Sequence, residues 1–161
     1  MEMKDCQRKI LGTQGFHYNL LRSDIKHLLG KEIPPMYARE TKEYLKRLEY
    51  GLSTFDPVTR VANMVAFEKH AGIMIDSLWN SITSLFSTNK ESLSYFYTHV
   101  GGDDPAEAYH IQMTKRMIQN TISENDAQRF VDYFSDAYAL NYNWCESIKH
   151  LAKEVDSVDR K

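Results

Sequence analysis

The sequence predicts an all-α protein, a bundle of several helices, on three observations. Apolar side chains recur at steps of three and four through every long segment. The breaks between segments carry helix-capping or helix-stopping chemistry, and no alternating run of strand-forming residues competes. With 161 residues, 42% of them hydrophobic and 26% charged, the chain suits one globular domain spanning 1–161, large enough to fold without a disulfide or metal. No linker rich in Ser, Gly or Pro divides it, and no internal repeat is found.

The elements follow in order. A first helix is expected near 5–29, bent or delayed by Gly12 and Gly15 and closed by Gly30. Pro34-Pro35 delays the second, near 36–52, because proline lacks an amide proton and restricts the residue before it. Asp56-Pro57 opens the third, 57–86, with aspartate capping free amides and proline at the first helical position, where no donor is missed. Thr88 to Glu91 reads as a capping box opening 89–100, and Asp104-Pro105-Ala106-Glu107 as another opening 105–121. Ser123 starts the last helix, near 124–156.

In the third helix one stripe runs Val61, Val65, Glu68, Gly72, Ile75, Trp79, Ile82, Phe86, all on one face at this spacing. Glu68 therefore falls where burial is expected, and a buried carboxylate calls for a partner, a shifted pKa or a cation. The last helix repeats the pattern through Phe130, Phe134, Ala137, Asn141, Trp144, Ile148, Leu151 and Val155, with Asn141 as a satisfied core amide. Tyr95-Phe96-Tyr97-Thr98-His99 sets an imidazole one turn from aromatic residues, and Ala106, His110, Met113 and Met117 form another inward stripe.

Charge and targeting signals exclude several classes. Twenty basic against 22 acidic residues give a formal charge of -2, which removes the general attraction to phosphate that nucleic-acid binders use. The opening MEMKDCQRKI has no signal-peptide core and no apolar run reaches membrane length, so the expectation is a cytoplasmic protein with no membrane partner. Cys6 and Cys145 lack metal-type spacing and are expected to stay reduced there.

Taken singly, an inward histidine is a hydrogen-bonded core residue, and an inward glutamate pairs with an arginine such as Arg60, Arg116 or Arg129. Taken jointly, Glu68, His99, Asp103, Glu107 and His110 supply the oxygen and nitrogen ligands that iron or manganese accepts. Glu107-x-x-His110 has the i, i+3 spacing used in di-iron helical bundles.

Phe67-Glu68 in a long helix, followed some thirty residues later by Tyr95-Phe96-Tyr97-Thr98-His99-Val100-Gly101-Gly102-Asp103, resembles the heme-oxygenase-like superfamily of TenA and PqqC. Within it the sequence looks most like the branch of the chlamydial death-domain-associating protein, the CADD-like non-haem di-iron oxidases. The resemblance covers about 57–120 and implies a heme-oxygenase-like bundle with Glu68, His99 and Asp103 as metal ligands. Where that branch has a second late histidine this chain has Ala106, so His110 or Glu107 would substitute. Its early glutamate–histidine pair falls on Gln7-Arg8-Lys9-Ile10-Leu11-Gly12-Thr13-Gln14, and His17 is the nearby imidazole.

The resemblance thus implies iron, mononuclear or dinuclear, with manganese second, activating dioxygen to oxidise a small organic molecule. Tyr95, Tyr109 and Trp79 would line the pocket, or be simple core. Two alternatives stay open: a metal-free TenA- or PqqC-like protein that binds a small molecule, or a non-catalytic homodimer with a degenerate metal site. Thiamin chemistry of the TenA kind is set aside, since it needs a cysteine nucleophile and Cys145 lies on the last helix outside a recognisable nucleophile setting.

Overall fold

The computed structural model describes the backbone of residues 17–100 and 105–158 and the side chains of 17–100 and 111–154. Among the described residues there is no strand. The chain forms α1 (His17–Leu29), α2 (Arg39–Ser53), α3 (Pro57–Phe86), a 3-10 turn (Lys90–Ser92), α4 (Ser94–Val100), α5 (Pro105–Thr121), a second 3-10 turn (Glu124–Asp126) and α6 (Ala127–Val158). None of these helices is long and apolar enough to cross a membrane.

Several expected boundaries are met for the expected reasons. Gly30 follows α1 at φ +67°, a conformation that glycine adopts without a Cβ penalty. At the start of α3, Asp56 Oδ2 accepts from Thr59 N at 2.9 Å, and Arg60 N reaches the Asp56 carbonyl at 3.0 Å. The first-helix expectation over 5–16 lies outside the described residues.

Two junctions differ from expectation. Residues 89–100 do not form one helix: Asn89, not Thr88, caps the turn by accepting from Glu91 N at 3.3 Å. Leu93 then takes an extended backbone that buries its side chain completely, so helicity restarts at Ser94. At 124–126 a 3-10 turn precedes α6, and the Ser123 hydroxyl donates to Asp126 Oδ2 at 2.6 Å instead of capping backbone amides.

The chain divides into two compact units, one from Met1–Pro35 with Gly72–Glu107, the other from Met36–Ala71 with Ala108–Lys161. In the first, Ile75, Trp79, Leu93 and Phe96 are buried. Trp79 Nε1 donates to the Lys90 carbonyl at 3.1 Å, and the Lys90 ammonium lies 4.6 Å from the Trp79 ring centre. In the second, α2, the first half of α3 and α6 bury Tyr44, Val58, Val61, Ala62, Ala66 and Ala137. Gly51 is buried there because a Cβ would stand 2.6 Å from Asn63 Cγ.

Within that second unit Asn141 is the satisfied core amide the sequence predicts. Its Oδ1 accepts from Tyr44 Oη at 2.8 Å and its Nδ2 donates to the Ala66 carbonyl at 3.3 Å. Tyr44 stacks on Trp144 with ring centres 4.6 Å apart, and Trp144 Nε1 donates to Thr41 Oγ1 at 3.2 Å. Burial pushes the Tyr44 phenol up to about 12.

Candidate metal centre

The stripe that singled out Glu68 does not stay buried along its length. The first half of α3 buries Val58, Val61, Ala62 and Ala66, whereas the second buries Ile75 and Trp79. At 3.6 residues per turn these two faces differ by about 90° around the helix axis. Glu68 is in line with Ile75 and Trp79 but still within the first half, and it is exposed. The expectation of a core-facing carboxylate is therefore corrected. Arg129, one of the arginines that could have paired with it, instead meets Asp56 at 3.1 Å and Asp126 at 3.4 Å.

The structure does bring two of the predicted residues together. His99, half-buried near the end of α4, and His17, exposed at the start of α1, approach with His99 Nε2 3.1 Å from His17 Nδ1. Their rings meet edge to face with centres 4.3 Å apart. On its other side His99 Nδ1 lies 2.6 Å from the Tyr95 carbonyl. A carbonyl oxygen only accepts, so Nδ1 carries the proton and, in the neutral ring, Nε2 presents a bare lone pair. The Tyr95 ring lies 4.3 Å from the His99 ring, and burial raises the Tyr95 phenol above its ordinary value.

The 3.1 Å separation of the two nitrogens suits a hydrogen bond and is also within reach of a shared metal ion. Two imidazole nitrogens bound at about 2.0–2.1 Å, as zinc binds them, stand about 3.1 Å apart when they subtend an angle near 100° at the metal. A metal-binding histidine also commonly donates its second ring N–H to a backbone carbonyl, which fixes the tautomer. The Tyr95 carbonyl does this for His99. Among the described residues no group of three or more His, Cys, Asp or Glu could hold an ion. Asp103, and the side chains of Glu107, His110, Ala106 and Tyr109, lie outside the described residues.

Sequence reasoning missed Asp24. It is 3% exposed in the middle of α1, and its carboxylate accepts from Ser94 N at 2.9 Å and Tyr95 N at 2.8 Å. Burial pushes this carboxyl up, against the backbone N–H groups of Tyr95 and Ser94 that hold it down. A signal was available: Asp24 follows Leu21 by three residues and precedes Leu28 by four, an acid within an apolar helical stripe.

A second imidazole pairing lies elsewhere. His70 Nε2 is 3.8 Å from Cys145 Sγ, and the His70 ring meets Tyr138 edge to face at 5.7 Å. Burial raises the Cys145 thiol, which keeps it protonated and a poor nucleophile. Separately, a cleft of about 480 Å³ opens between α2 and α6, lined by Arg47, Tyr50, Thr59, Asn63, Tyr133 and Asp136, among others.

Comparison with family models, with curated proteins and with solved structures finds no match.

Proposed function

We propose that this chain is a heme-oxygenase-like, CADD-like metalloprotein, a non-haem iron oxidoreductase acting on a small organic molecule, with His17 and His99 at its metal centre. The meeting of these two imidazoles, 82 positions apart in sequence, carries the proposal. Iron bound there would supply dioxygen activation. The chain's own contribution begins with the Tyr95 carbonyl, which holds His99 in the tautomer whose Nε2 can bind metal. His17 is exposed, so small reactants can reach the pair from solvent. Asp103 and Glu107, which the resemblance implies as ligands or their substitutes, remain the proposed sources of oxygen to complete the set.

Anaerobic reconstitution with ferrous ion, followed by metal analysis after desalting, tests this. Wild type is expected to retain iron, and His99→Ala and His17→Ala each to lose it; retention by both variants, or none by wild type, overturns the proposal.

The α2–α6 cleft favours a second reading, a metal-free small-molecule binder. It combines aromatic walls with charged groups of both signs and contains no histidine or cysteine. Ligand-induced shifts confined to Tyr50 and Tyr133, with no retained iron, would support it.

A further inference from the structure

Asp24 and His99 are joined through a single residue. The Asp24 carboxylate accepts the Tyr95 N–H, and the Tyr95 carbonyl accepts the His99 Nδ1 proton. His99 Nε2 then faces His17 Nδ1, and His17 lies on the same helix as Asp24. The chain of contacts leaves α1 at Asp24 and returns to it at His17. It follows that α1 and α4 run antiparallel and are fastened at two points, seven residues apart on α1 and five apart between Ser94 and His99 on α4.

The carboxylate is well placed to set this register. Helix α4 has 7 residues, too few to be stable in isolation, and its first amides have no partner within the helix. Asp24 satisfies two of them from another element, using one oxygen for Ser94 and the other for Tyr95. Leu93 and Phe96, buried on either side, hold the strand-like entry and the first turn against the core. The way α4 is turned about its axis aims the His99 ring, and the two Asp24 bonds act on that turn at the first residues of the helix.

We infer that Asp24 is a positioning residue of the histidine pair, holding α4 so that His99 Nε2 faces His17 Nδ1. In its consequence for metal affinity the inference rests on the metal reading above; in its consequence for the apo protein it does not. Asp24→Asn keeps an acceptor for one amide but turns an NH2 toward the other, which loosens the register with little change in volume. Two readouts follow. Proton NMR of the imidazoles in metal-free protein is expected to show through-space contacts between the His17 and His99 rings, whose centres stand 4.3 Å apart, in wild type, and their loss in Asp24→Asn. Titration with zinc, a redox-silent probe, is expected to show about tenfold weaker binding in the variant, the loss typical of a removed supporting contact.

An Asp24→Asn protein with a lower melting temperature but an unchanged His17–His99 ring contact and zinc affinity would overturn the inference and leave a purely structural cap. If wild type binds no zinc, the metal reading fails while the ring contact still decides the role of Asp24. Should Asp24→Asn fail to fold by circular dichroism, Asp24→Glu, which keeps the charge and displaces the oxygens by one methylene, gives the same two readouts.

Discussion

Two of the polar contacts that cross between helices in this protein are built in opposite ways. In the unit of α2, the first half of α3 and α6, Asn141 is 1% exposed and bonds to both Tyr44 and the Ala66 carbonyl. In the unit holding α1 and α4, His17 and His99 meet in a half-open position, with a lone pair facing a ring that can donate or bind metal. The first arrangement is complete with protein groups alone. The second is open to solvent, where water or an ion can approach. Buried, satisfied groups do structural work; accessible imidazoles are where ligands can bind.

The comparison breaks most visibly at Asn141. Asn141→Ala strands the Tyr44 hydroxyl in the core and leaves the Ala66 carbonyl with its helical bond alone; a stranded buried group costs about 1–3 kcal/mol. We expect the variant to lose about 2 kcal/mol in urea unfolding, the middle of that range for one stranded group. A loss below about 1 kcal/mol would mean that water reaches the network, and the contrast with the histidine pair would fail.

Alkaline titration probes the same network without mutation. The folded-state Tyr44 phenol, pushed up to about 12, lies above its unfolded value near 10. Folding therefore favours the neutral phenol: its contribution to stability is complete below pH 10 and is lost as the pH rises toward 12. Unfolding midpoints measured across that window should fall in wild type and fall less in Tyr44→Phe. Parallel curves would remove Tyr44 as the cause.

These contrasts also mark what the sequence could reveal. Asp56-Pro57, Gly30 and the extent of α3 were legible because their causes are local: a cap, a positive φ, a proline where no donor is missed. Asn141 was legible because the described part of its stripe faces inward, buried at Ala137 and Asn141 and half-buried at Phe130, Phe134, Trp144, Ile148 and Leu151. Glu68 was misjudged because the buried face of α3 rotates partway along, which only packing partners determine. The same kind of pattern around Asp24 was overlooked and proved sound. The His17–His99 contact could be anticipated only as candidate residues, since their meeting depends on how α1 pairs with α4 across 82 positions.

The smallest effect gives the sharpest test. If the histidine pair serves a ligand and not the fold, replacing both rings should barely change the stability of metal-free protein. His17→Gln with His99→Gln leaves α4 held by Asp24 and by buried Leu93 and Phe96. His17 is exposed and His99 half-buried, so water can satisfy whatever the new amides do not. We expect a change within about 0.5 kcal/mol in urea unfolding, as for ordinary surface substitutions. A loss comparable to that of Asn141→Ala would make the pair a second structural network and remove the reason to look for a metal there.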